Sequence, residues 1–158
     1  MSGQHKSSQR RSGERKFSSD EPRLGMLVKR AEQAMIRAKS AALKFVGLTP
    51  AQYVALLELD QQPGITAATL ARSCLVTPQA MMILLKTMEQ QGLISRSPYP
   101  RHPNVLELHM TDVGRKALQA ARERIDPIEQ GVFSVFSERD LAVFRELLSR
   151  FIDAFDKA

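Results

Sequence analysis

A chain of 158 residues with a formal net charge of +6, 43% hydrophobic and 25% charged residues is ordinary globular material, long enough for one domain with a real core. The basic balance favours a polyanionic partner. The single cysteine, Cys74, excludes an intramolecular disulfide or a multi-cysteine metal site and suits a reducing cytoplasm, and no apolar run reaches the roughly 18 residues of a membrane span.

Residues 1–20 are rich in Ser and Gly and carry Lys6, Arg10, Arg11, Arg15 and Lys16. Such a segment buries too little apolar surface to offset its ordering entropy, so a disordered basic tail is expected, with a DNA-contacting arm as the sharper reading. The basic groups have no apolar stretch behind them, which excludes a secretory signal. From 24 to 45 the apolar positions Leu24, Leu27, Val28, Ala31, Ala34, Met35, Ala38, Ala41, Ala42 and Phe45 recur at helical period, and Gly47 supplies the stop. Thr49, Pro50 and Gln52 then read as a capping box opening a second helix, with Tyr53, Leu56, Leu57 and Leu59 as its buried face.

Two further helix starts follow, Thr66 and Thr77, eleven residues apart. Each Thr hydroxyl is placed to accept from an orphan first-turn N–H, and Pro78 suits the first helical position because its missing N–H has no partner there anyway. Leu70, Ala71, Leu75 and Val76 are expected to face inward from the first of these helices and the turn, and Ala80, Met81, Leu84, Leu85 and Met88 from the second, which ends at Gly92. This is helix-turn-helix spacing, in which the second helix is presented to a groove. Beyond it, Leu106, Leu108 and Met110 alternate with Val105, Glu107 and His109, the period of a half-buried strand, with Ile94 and Arg96 on a shorter partner. Pro98, Pro100 and Pro103 cannot donate to a ladder, so a loop is expected from 97 to 104, making a wing with Arg101, His102 and Asn104 at its tip.

Thr111 caps the next helix, striped by Ala117, Leu118, Ala121, Ile125, Ile128 and Val132, and Pro127 within it predicts a kink or local break near 125–126. A last helix starts at Ser137 and carries Leu141, Phe144, Leu147, Leu148, Phe151, Ile152 and Phe155. Helices at both ends of the chain hold more apolar surface than a small winged helix covers, which implies a homodimer.

The order of two helices, helix-turn-helix, wing and two long helices, with the segments V-T-P-Q-A-M, E-Q-Q-G-L-I and M-T-x-x-G-R, resembles the MarR family of bacterial transcriptional regulators over residues 22 to 158. The fold expected is mainly α with a small β wing: residues 22–47 and 112–157 as dimerisation helices and 48–111 as the winged helix-turn-helix. The resemblance implies a cytoplasmic dimeric repressor of double-stranded DNA. It also implies a small aromatic or phenolic effector in a crevice lined from 24 to 35, from 53 to 57 and by the helix after Thr111.

Major-groove reading needs exposed side chains near the start of the second helix and cations for the phosphates. Thr66, Thr77, Pro78, Gln79, Met82, Ile83 and Lys86 form the candidate contact set, with Arg72 beside them and Arg96, Arg101, His102 and Asn104 on the wing. Gln79 suits an adenine edge, Met82 and Ile83 suit thymine methyls, and Lys86 and Arg72 suit phosphates. The family often has an Arg near the position of Ile83 and an Asp-Arg pair in the wing, where this chain has Arg101-His102-Pro103-Asn104. Minor-groove insertion by Arg101 is what the resemblance implies. The competing reading is a winged-helix module for protein interaction, or for architectural DNA binding without ligand sensing. Cys74 reads as a small buried hydrophobe rather than a redox sensor. His5, His102 and His109 are the only histidines, so no cofactor, metal triad or catalytic set is expected.

Overall fold

The computed structural model describes residues 23–99 and 102–157. The elements run α1 (Leu24–Lys44), α2 (Pro50–Gln61), α3 (Ala67–Ser73), α4 (Pro78–Gln90), β1 (Ile94–Tyr99), β2 (His102–Met110), α5 (Asp112–Phe133) and α6 (Glu138–Asp156). The basic tail at 1–20 lies outside the described residues.

The helix starts follow local side-chain chemistry. Thr49 and Ser137 close full capping boxes with Gln52 and Asp140, and Thr66, Thr77 and Thr111 each accept from the backbone N–H three residues on. The Ser137 hydroxyl and backbone N–H both bond the Asp140 carboxylate and hold it below the usual carboxylate range. The helix α5 runs unbroken through Pro127, so the expected local break is absent. Proline deletes one backbone bond, and the helix continues across it with Ile125 buried before it and Ile128 half-buried after it.

Leu43, Leu56, Leu59, Leu70, Met81, Leu85, Met88, Leu108, Leu118 and Ile125 make the fully buried centre, so α1 to α5 and the wing strand share one core. The distribution along the chain is uneven. Leu43 is the one buried residue of α1 and α6 has none. Leu24, Met35, Phe144, Leu147, Ile152 and Phe155 are all more than half exposed.

Three tethers fix α3, α4 and the wing on the rest. Gly64 N–H donates to the Leu108 carbonyl and Leu108 N–H to Ile65, both at 3.0 Å, adding the helix-turn-helix entrance as a third rung beside the wing. Thr111 accepts from Gly114 N–H at 3.0 Å and donates to the Gly92 carbonyl, fastening the start of α5 to the end of α4. Gln52, 3% exposed, donates from Nε2 to Gln91 Oε1 at 2.7 Å while its Oε1 accepts from Thr49 N–H, so one buried amide ties α2 to the C-terminal cap of α4.

The wing is longer than expected. Ser97, Pro98 and Tyr99 lie in β1 and His102 to Asn104 in β2, where a loop was predicted. Pro98 pairs with Leu106, and the register shifts only after it. A two-stranded ribbon has an outer edge on each strand, and a proline is tolerated where its nitrogen points away from the partner.

Candidate nucleic-acid interface

The axes of α3 and α4 are bent by 109° to each other, within the range of a DNA-binding helix pair. Met81, Leu85 and Met88 turn one side of α4 into the core, which leaves Thr77, Pro78, Gln79, Met82, Ile83 and Lys86 exposed on the other. Positions 79, 82, 83 and 86 lie three and four apart and form one stripe. Gln79 is exposed in the first turn, where the capping bond runs from Ala80 N–H to Thr77 Oγ1 at 3.1 Å and leaves its side-chain amide unused. Thr66 does structural work as the cap of α3, and its hydroxyl also meets Thr69 at 3.1 Å. Arg72 is exposed one turn further on, steadied by a 3.0 Å bond from its guanidinium to Thr69 Oγ1.

Arg96 has a partner within the fold. Its guanidinium pairs with Glu89 at 2.8 Å, the side chains 20% and 35% exposed, and its Nε is buried without a partner. Glu89 is near the end of α4 and Arg96 is in β1, so the pair pins the wing to α4. Arg96→Ala is expected to lower the stability of the fold by about 1 kcal/mol, visible as a lower urea midpoint, because it leaves Glu89 without its partner. The slope of operator affinity against salt should stay unchanged, since the lost charge already had a carboxylate beside it.

Two sequence expectations fail in the turn between α3 and α4. Leu75 and Val76 do not face inward: Leu75 is 92% exposed with φ of 55°, and Val76 is 38% exposed. Cys74 caps α3 and is half-buried, and burial foremost, with Glu58 second, pushes its thiol above the usual range. A raised pKa keeps it a thiol and lowers its reactivity. Of the wing tip, Arg101 lies outside the described residues, while His102 and Asn104 enter β2 through their backbone. Among the described residues no group of His, Cys, Asp and Glu side chains gathers to hold a metal ion, and no single helix is long and apolar enough to cross a membrane.

The helices α1, α2 and α5 pack against one another, and Tyr53 of α2, 5% exposed, lies close to charged groups of α5. Burial first, then Glu129 and Asp126, push its phenol up. Arg122 of α5 reaches Asp60 of α2 at 2.8 Å, so the helix that leaves the wing is clamped to the helix that leads into the helix-turn-helix.

Comparison with known proteins agrees with this architecture. A repressor of Mycobacterium tuberculosis, Rv2887, is 30% identical over 132 residues, spanning 84% of this chain and 95% of the relative. The chain belongs to the MarR family. The model of that family matches residues 46–102, the segment from the end of α1 to the wing. Among solved MarR structures, M. tuberculosis Rv2887 in complex with salicylic acid has a TM-score of 0.65 at 30% identity, covering 85% of this chain and 99% of that one. A mutant MarR from E. coli complexed with operator DNA has a TM-score of 0.76 at 20% identity, covering 81% and 92%, and shares the fold. As a MarR-family protein the chain is a DNA-binding transcription regulator.

Proposed function

We propose that this MarR-family chain is a homodimeric repressor that occupies a pseudo-palindromic operator, one half-site per protomer, and leaves it when a small aromatic or phenolic acid binds. The observation that carries the reading is the exposed stripe of Gln79, Met82, Ile83 and Lys86 on a helix whose other side is core. The apolar faces of α1 and α6 supply the dimer, holding two copies of α4 at the spacing of successive major grooves, about 34 Å. The repressive sign rests on relatives named as repressors, and the effector class on a relative of 30% identity solved with salicylic acid. The effector site proposed is the junction of α1, α2 and α5 around Tyr53. A ligand there acts by preferring one dimer geometry over the DNA-competent one.

Within this scheme Gln79 reads a base and Lys86 and Arg72 neutralise phosphates, while Thr66, Thr77 and Pro78 set the helices at the backbone. Arg101, His102 and Asn104 carry the wing to the neighbouring groove. Gln79→Ala is expected to cost about 1–3 kcal/mol on the specific duplex and to relax one base position, whereas Lys86→Ala weakens all duplexes alike and flattens the salt slope by about one. Fluorescence anisotropy on specific and scrambled duplexes at several salt concentrations separates the two. Unchanged base preference in Gln79→Ala removes its assigned role. Salicylate added to the same complex tests the release step, and no shift in affinity with salicylate or related phenolic acids leaves a repressor without that class of effector.

A further inference from the structure

The helix-turn-helix exposes a set of apolar side chains. Leu75 is 92% exposed, Ile83 71%, Met82 48% and Val76 38%. Ile83 is the common wall of two open depressions. One of about 440 Å³ is bounded by Met82, Lys86, Glu89 and Arg96. The other, about 330 Å³, includes Val76, Ala80 and Leu84 of the turn and α4, with Thr49 at the cap of α2 and Ala51 within it. The hydrogen-bonding inventory of the same face is short. Thr77 caps α4, Arg72 spends one of its N–H donors on Thr69, and Arg96 pairs with Glu89, so along the stripe of α4 Gln79 offers the amide and Lys86 the ammonium.

Leu75 supplies a second, independent observation. Three helices end in the same pattern of backbone bonds: Leu48 to Leu43 with Gly47 to Lys44, Val76 to Ala71 with Leu75 to Arg72, and Leu93 to Met88 with Gly92 to Glu89. The pattern places one residue in the left-handed region, and glycine fills that place twice, at φ of 70° and 68°. At the turn before the recognition helix the place holds a leucine at φ of 55°, which strains a γ-branched side chain and returns no burial to the fold. A strained backbone that presents an apolar side chain to solvent has its use outside the folded monomer.

We infer that the half-site is read chiefly through thymine C5-methyl groups, with Leu75, Val76, Met82 and Ile83 as its specificity-determining residues and Gln79 as the single polar reader. The inference rests on the reading that α4 enters the major groove. Thymine methyls are the apolar feature of that groove, and Lys86 on the stripe of α4 with Arg72 exposed on α3 supplies cations for the flanking phosphates, so charge and apolarity match one occupant. Each methyl taken out of water against such a wall is worth about fourfold in affinity.

The test is a binding selection on two random duplex libraries, one synthesised with thymidine and one with deoxyuridine, which lacks only the methyl and keeps every hydrogen-bonding group. Thymidine duplexes are expected to converge on thymine-dense half-sites, and the same sequences rebuilt with deoxyuridine to bind about fourfold weaker per contacted methyl. Ile83→Ala, an exposed change to a better helix former, should bind the thymidine duplex several-fold weaker and lose its sensitivity to deoxyuridine at one position. Leu75→Asn should leave the melting temperature unchanged or raised while weakening the thymidine duplex, a combination that a purely structural role does not produce. Equal enrichment of the same motif from both libraries overturns the methyl reading and leaves DNA recognition standing. Enrichment from neither overturns the recognition reading with it.

Discussion

Gly114→Ala is expected to lower the melting temperature by about 6–12 °C, the consequence of roughly 3 kcal/mol of overpacking in a chain of this size. A Cβ at that position would lie 2.1 Å from the Leu93 carbonyl oxygen and 2.7 Å from Met110 Cγ, and the first contact is backbone that cannot rotate away. The same carbonyl accepts Thr111 N–H at 3.1 Å, so retreat of the residue 93 segment breaks the bond that starts α5. The sign is informative because alanine is otherwise the better helix residue by about 0.8–1 kcal/mol. Gly131→Ala, in the same helix with nothing within 4 Å of its added carbon, is therefore the control, expected to be neutral or stabilising. Thermal unfolding of the two variants side by side checks both, and a neutral Gly114→Ala would contradict the close approach of α5 to the Leu93 backbone.

The second large effect concerns assembly. Leu147, 53% exposed on a helix without a buried residue, belongs to the apolar face proposed to pair two protomers. Leu147→Asp is expected to convert the dimer to monomer in sedimentation equilibrium and to weaken operator binding by about 100-fold or more, because each half-site is then bound without the help of its neighbour. The core of α1 to α5 contains no α6 residue, so the circular dichroism of the winged helix-turn-helix should survive. A variant that stays dimeric and binds DNA as before would place the interface elsewhere.

The helix starts and the core were legible in the sequence because their causes are local. A threonine hydroxyl reaches three residues on, and Met81, Leu85 and Met88 repeat at the helical period. The exposed stripe is the complement of that repeat, so the exposure of Gln79, Met82, Ile83 and Lys86 was also within reach. What escaped was decided by tertiary partners or backbone conformation. Leu75 reads as core from its composition, yet its direction is set by a helix-ending pattern that forces a positive φ. Arg96 reads as a free wing cation until α4 places Glu89 beside it, and Gln52 reads as a capping residue until it meets Gln91, 39 positions away. Prolines were weighed as breakers at 98 and 127, but an outer ribbon edge and a well-packed helix each absorb one missing donor. Gly114 had a detectable signal, a glycine in the first turn of a strongly striped helix, where alanine serves better unless something stands close.

Selection of bound duplexes from a random-sequence library at roughly physiological salt, where non-specific phosphate binding is weakened, tests the central claim most directly. A dimer presenting two copies of α4 predicts an enriched inverted repeat with half-site centres about one helical turn apart. Binding without enrichment, or enrichment of a single unrepeated half-site, would contradict it.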